Sequence, residues 1–146
     1  MNEIIALAAA LLTTGIVAVV HYLGLSLISQ RLIPATKALG RRRLPIMIVA
    51  LVPMHLVGIA VFAGMMQMLI AMDLGGLEGR KSGFGGLLYF SGVCYTSLGF
   101  GDVIPHGALE LVSIVECVAG LVLIGWSASF TYLEMRALWG SHASPR

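Results

Sequence analysis

Apolar positions in this chain run together in long blocks instead of recurring at the spacing of a soluble core. Residues 4–29 and residues 44–72 carry no charged side chain, and residues 108–134 are apolar apart from Glu110, Glu116 and the terminal Glu134. A helix crossing the hydrocarbon core needs about 20 apolar residues. Three crossings are therefore predicted. A fourth block, residues 84–98, has about 15 residues, which is too short to span and reads as a re-entrant or interfacial segment. The expected fold class is an all-α integral membrane protein with three transmembrane helices and one re-entrant helix and loop.

Composition supports this. Of 146 residues, 58% are hydrophobic and 11% charged, and the mean hydropathy is +0.95, whereas a soluble domain carries roughly 25% charged residues. A water-soluble globule, a disordered tail and a nucleic-acid binder are excluded. The net charge of +2, from nine Lys/Arg and seven Asp/Glu, is too small to attract polyanions. Cys94 and Cys117 lie inside apolar runs and read as small packing residues, with no disulfide framework or metal cluster indicated.

Orientation follows from the basic residues. Arg31, Lys37, Arg41, Arg42 and Arg43 occupy one loop that has no acid, so that loop is expected in the cytoplasm. The amino terminus and the mixed-charge residues 73–82 then lie outside, and the tail after Arg136 returns to the cytoplasm of a plasma or inner membrane. Arg41, Arg42 and Arg43 could also bind anionic lipid head groups. The first block lacks a basic leader and exceeds the usual apolar run of a cleaved signal peptide, so it is read as a retained helix. Pro45 falls in the first turn of the second helix, Pro53 is predicted to kink it unless neighbours satisfy the freed carbonyl, and Pro34 and Gly40 mark an interruption between the first two helices.

The short fourth block holds the distinctive chemistry. From Leu87 it reads Leu-Leu-Tyr-Phe-Ser-Gly-Val-Cys-Tyr-Thr-Ser-Leu-Gly-Phe-Gly-Asp-Val-Ile-Pro. Up to about Tyr95 it can form a short helix. Gly99 and Gly101 then bracket Phe100, and a helix cannot easily continue. Irregular backbone at membrane depth persists only when buried in protein or lining a watery cavity. Alternate glycines permit backbone angles that let successive carbonyls face one axis and replace the water of a cation.

Thr96-Ser97-Leu98-Gly99-Phe100-Gly101-Asp102 resembles the filter signature of potassium channels, written T-x-x-T-V-G-Y/F-G-D. Residues 44–134 resemble that family's outer helix, pore helix, filter and inner helix. The resemblance divides the chain into an extra helix and basic loop at 1–43, a pore domain at 44–136 and a tail at 137–146. It implies an ion-binding loop from Thr96 to Gly101, in which the carbonyls of Ser97, Leu98, Gly99 and Phe100 coordinate K⁺ and Thr96 braces the loop. It implies support for that loop from Asp102, Tyr89 and Phe90. Serine at 97 replaces the usual threonine, Leu98 is bulkier than the usual valine, and Val93 stands where some relatives place a glutamate, so Asp102 needs another partner.

One loop cannot encircle an ion, whereas four around an axis can. The resemblance thus implies a homotetramer whose third helices line an inner cavity. Gly120 falls at the family's hinge position, Gly125 is a second weak point, and Ile124, Ala128 and Thr131 are cavity candidates from spacing. Potassium is expected as the permeant ion, with no cofactor and no nucleic-acid partner.

Other residues carry two readings each. Glu116 is either a strut behind the filter, bonded to Ser91 or Tyr95, or a neutral acid satisfied locally. His21 and His55 either sense pH or sit neutral and hydrogen-bonded between helices. Met65, Met66 and Met68 fit lipid-facing or gap-filling positions, and Ala60 with Gly64 hints at close helix contact. The first helix is expected to pack peripherally against the second. No helix repeats Arg or Lys every third residue, which excludes a voltage sensor of the usual kind. The function expected is a passive potassium-selective channel. The rivals are a weakly selective cation channel and a non-conducting accessory subunit. A membrane enzyme ranks last, because no nucleophile–base pair or metal-ligand spacing is present.

Overall fold

The computed structural model describes residues 1–79 and 83–140. Helix α1 (Asn2–Leu27) buries one stripe, Ala6, Ala10, Thr13, Val17, His21 and Leu25, at the three- and four-residue steps of a single helix face. Small residues at its N-terminal end, Ala6 and Ala10, let it lie close to its neighbours. Its other faces, with Ile4, Leu11, Leu12 and Val19, stay exposed, as they do in a helix that faces lipid.

The first helical rod runs further than its apolar block. It continues from α1 through a wide π-helical turn (Ile28–Leu32) into the short α2 (Ile33–Ala35). Pro34 therefore does not end the rod at once, because the wide turn has already reset the hydrogen-bond spacing before it. The stop comes at Thr36, whose hydroxyl donates to the Leu32 carbonyl at 2.7 Å. The expected loop is itself a 3-10 turn (Lys37–Arg42), broken at Gly40 with φ 53°.

Helix α3 (Arg43–Ala71) is one continuous helix through Pro53. After it, β1 (Gly75–Gly79) pairs antiparallel with β2 (Val103–Gly107), Gly75 opposite Gly107 and Gly79 opposite Val103. This ribbon was not expected from Gly-Gly-Leu-Glu-Gly, a poor strand former. The pairing is made by distant residues and clamps the two ends of the segment that holds the short helix α4 (Gly83–Tyr95) and the loop after it. Part of the expected outer loop, residues 80–82, lies outside the described residues.

Helix α5 (Leu109–Gly140) continues past the expected end at 134, so residues 137–140 of the expected tail are helical; residues 141–146 lie outside the described residues. Three helical rods, Asn2–Ala35, Lys37–Ala71 and Leu109–Gly140, are long and apolar enough to cross a membrane. The protein is a mostly helical membrane protein with α4 set between two of these rods.

The core lies in three tiers along the rods. At the ribbon end, Ala6, Ala10, Met66, Leu69, Phe90, Leu109 and Val112 pack together. The middle tier is Val17, Phe62, Tyr95, Ala119 and Leu123, and the far tier is Leu25, Ile28 and Leu51. Helix α1 contributes to all three and packs on both α3 and α5. It is therefore not peripheral to the second rod alone, because its stripe of small residues fits the seam between two helices.

Candidate functional site

Helix α4 ends in a cap that starts the loop. Ser97 N–H donates to the Cys94 carbonyl and Leu98 N–H to the Val93 carbonyl, both at 2.9 Å. Ser97 has φ 56°. Together these form a Schellman motif, with serine at the left-handed position that glycine usually fills. Thr96 Oγ1 donates to the Gly92 carbonyl at 2.7 Å, so its side chain closes the last turn.

Past the cap, backbone handedness alternates. Gly99 has φ 58° and Gly101 φ 73°, while Leu98 and Phe100 keep negative φ. Alternation of left- and right-handed residues turns successive peptide planes the same way, so the run from Ser97 to Gly101 can present its carbonyls to one side. Glycine is needed at 99 and 101 because a Cβ resists that φ. All six residues from Thr96 to Gly101 are exposed in the single chain, and Leu98 and Phe100 show 58% and 64% of their surface.

The supports behind the loop divide between an exposed and a buried set. Tyr89 Oη donates to Asp102 Oδ2 at 2.8 Å on the exposed side, which gives Asp102 its partner where Val93 cannot. Phe90 points the other way and is buried in the tier at the ribbon end, against residues of other helices. Ser91 Oγ lies 2.8 Å from the Ile59 carbonyl oxygen and 2.5 Å from Glu116 Oε1. A hydroxyl has one proton, and the Ile59 carbonyl can only accept. The count closes when the Glu116 carboxyl carries a proton, which also suits a fully buried group whose Oε2 has no partner.

Tyr95, the other partner considered for Glu116, turns its hydroxyl elsewhere. Its Oη lies 3.1 Å from His55 Nδ1, and His55 Nε2 lies 3.0 Å from Ser127 Oγ. His21 Nε2 reaches the same Ser127 Oγ at 3.0 Å. Both histidines are thus hydrogen-bonded between helices. Ser127 was not singled out in the sequence, although it shares the buried stripe Glu116, Gly120, Leu123, Ser127 on α5. That spacing was the available signal.

Gly120 is buried where α5 meets the end of α4: a Cβ there would collide with the Tyr95 carbonyl and Cα. The glycine is required for close approach, and α5 is continuous through it. Ile124 and Ala128 are exposed in the single chain, and Thr131 is half-buried, with its hydroxyl donating to the Ser127 carbonyl. Gly64 has open space around it and Ala60 is exposed, so among the described residues this pair marks no close helix contact. Gly58 does, facing Val17 and Tyr95. Met66 is buried and Met68 exposed, one gap-filling and one outward.

At the far end, Arg43 is not a free head-group ligand. It is buried and its Nη2 lies 3.3 Å from Glu134 Oε2, joining the start of α3 to the last turns of α5, while Arg41 and Arg42 stay exposed. Among the described residues no group of three or more His, Cys, Asp or Glu could hold a metal ion.

Residues 54–134, more than half of the chain, match the family model described as "Ion channel". No curated protein and no solved structure matches the chain. The matched span begins in α3, one residue before His55, takes in the ribbon, α4 and the alternating loop, and ends in α5 at Glu134. The chain belongs to this ion-channel family, of the two-transmembrane potassium-channel pore type.

Proposed function

We propose that the protein is a passive, potassium-selective channel, assembled from four copies around the loop from Thr96 to Gly101. The observation that carries this reading is the alternation of φ at Ser97, Gly99 and Gly101, in a loop delivered by the C-terminal end of a buried helix. The carbonyls of Ser97, Leu98, Gly99 and Phe100 substitute for the hydration of K⁺. Thr96 and Ser97 set the inner end, and Asp102 the outer end. The negative end of the α4 dipole favours a cation on the same axis.

Assembly explains the exposed apolar residues. Leu98 and Phe100 flank a groove with Leu56, Ile59, Leu88 and Val93, too apolar to face water at a pore mouth. Neighbouring copies cover it. Residues 44–136 form the pore unit. Ile124, Ala128 and Thr131 line the inner cavity, and the loop lies at the outer face of a plasma or inner membrane. Arg31, Lys37, Arg41 and Arg42 lie at the cytoplasmic face, where Arg41 and Arg42 meet anionic lipid.

The test is ion flux from liposomes containing the purified protein. Potassium flux that exceeds sodium flux and is blocked by barium supports the reading. Equal fluxes of the two ions replace it with a weakly selective cation pore, and no flux from a confirmed tetramer with an accessory subunit.

A further inference from the structure

We propose that His21, Ser127 and His55 are positioning residues for the pore loop, linking the extra helix α1 through α5 and α3 to Tyr95, the last residue of α4. The proposal rests on the channel reading above and adds a role for the part of the chain outside the family match.

Four polar side chains from four helices meet in an apolar tier. Tyr95, His21 and Ser127 are 0%, 1% and 6% exposed, and the two imidazole rings lie 4.9 Å apart. Polar groups are costly there unless each finds a partner. Among the described residues, the contact of His21 with Ser127 is the one side-chain hydrogen bond that joins α1 to another helix. Helix α1 is thus tied by this contact to the group that holds the filter.

Tyr95 is placed to pass the tie on. Its main chain touches α5 at Gly120, and its ring fills space left by Gly58, where a Cβ would come within 3.3 Å of the ring and 3.0 Å of Val17. The residues that follow are Thr96, which closes the last helical turn, and Ser97, the left-handed cap. A shift of Tyr95 therefore moves the first ion-site carbonyls.

In the tautomer that gives the buried Tyr95 hydroxyl an acceptor, Tyr95 Oη donates to His55 Nδ1 and His55 Nε2 donates to Ser127 Oγ, while the contact between Ser127 Oγ and His21 Nε2 can run in either direction. His21 Nδ1 is buried and has no partner among the described residues. A second proton on His55 reverses its contact with Tyr95, since Nδ1 must then donate, and the tyrosine proton loses its acceptor. Acid therefore weakens the hold on Tyr95.

The groups facing the pair from each element are few. Helix α1 brings Tyr22 beside His21, and α4 brings Tyr95. Helix α5 brings Ser127, Trp126 with its ring 5.7 Å from His21, and Glu116, whose carboxyl contacts Ser91 one helical turn before Tyr95. On α3 the titratable group is His55 itself. Among the described residues no Lys, Arg or Asp hydrogen-bonds or pairs with the chain of contacts.

The experiment uses the full-length protein in liposomes, with two readouts: potassium flux as a function of pH, and hydrogen exchange of the amides from Thr96 to Gly101 at fixed neutral pH. Wild-type flux is expected to fall about tenfold on acidification, over the range in which His55 takes its second proton. Ser127→Ala should flatten that profile and speed loop exchange about tenfold, and Ser127→Thr, which keeps the hydroxyl, should restore both. His21→Gln is the second variant should Ser127→Ala fail to fold, with the same two expectations. A variant that keeps the wild-type profile and exchange overturns the proposal while leaving the channel reading intact. No wild-type potassium flux at any pH, with loop exchange still responding to Ser127→Ala, overturns the channel reading and keeps the positioning role. Neither flux nor an exchange response overturns both.

Discussion

Residues 83–95 and residues 96–102 are neighbours in the chain and are held in opposite ways. The helix Gly83–Tyr95 buries Leu87, Phe90, Ser91, Cys94 and Tyr95, and two of these reach polar partners on other helices. The loop after it is exposed throughout, with three residues at positive φ. Within one chain the loop owes its shape to the cap at Ser97, the Tyr89–Asp102 hydrogen bond and the ribbon beyond it. The helix is a property of the single chain. In the assembly proposed above the loop becomes a packed structure only among copies, so changes in the two regions should damage different measurements.

The largest expected effect lies in the loop. Gly99→Ala puts a Cβ on a residue with φ 58° and open space around it, so the penalty is conformational and not a clash. A left-handed non-glycine residue costs roughly 1–2 kcal/mol, and the proposed ring of four copies would repeat that cost four times. Selective potassium flux should fall by at least about a hundredfold, a few kcal/mol by the tenfold-per-1.4 rule. Expression and helix content should not change. Unchanged potassium-over-sodium selectivity in this variant would remove the loop from the conduction path.

Next comes a contrast within α5. Gly120→Ala drives a methyl group into the Tyr95 main chain, and overpacking of this kind costs roughly 1–3 kcal/mol. Gly125 has nothing within contact distance, and alanine there gains up to about 1 kcal/mol of helix propensity. Thermal unfolding in detergent should show Gly120→Ala destabilised and Gly125→Ala unchanged or stabilised. Equal behaviour of the two would return Gly120 to the role of a simple bending point.

Much of this was legible in the chain, and the division has a physical basis. Uninterrupted apolar blocks fixed the three rods, because bilayer thickness leaves few alternatives. The alternating glycines around Phe100 marked the loop, because few other residues tolerate positive φ. The ribbon was not legible: its strands are glycine-rich and pair residues 24 to 32 positions apart, brought together by the fold around them. Arg43 and Ser127 were missed for a related reason. Local context presents Arg43 as one of a basic cluster and Ser127 as an isolated small polar residue. Only packing reveals that the first turns inward to Glu134 and the second joins two histidines. The extent of the rods was also misjudged, since helices run on past the apolar stretch where polar ends reach the interface.

A smaller effect tests the buried support. Glu116→Gln preserves the shape of a neutral acid and its contact with Ser91, whereas Glu116→Ala empties the site. The glutamine variant should unfold within about 1 kcal/mol of wild type, and the alanine variant about 2 kcal/mol lower, the cost of a vacated side chain in a packed core. Glutamine as harmful as alanine would mean that the native group is a charged carboxylate.

The smallest effect is expected where the helix touches the loop in the open. Tyr89→Phe removes the hydroxyl that donates to Asp102 at 2.8 Å and leaves the ring. The contact is exposed in the single chain, so water can replace it, and folding of the helix should not register the change. The loop should, because Tyr89 and Asp102 stand on either side of the six residues with few other contacts. Amide exchange from Leu98 to Gly101 should rise roughly two- to threefold, the equivalent of a weak solvated hydrogen bond, with no change in exchange from Leu87 to Cys94. If the helix amides moved instead, the boundary drawn here between a helix held within the chain and a loop held at its ends would lie in the wrong place.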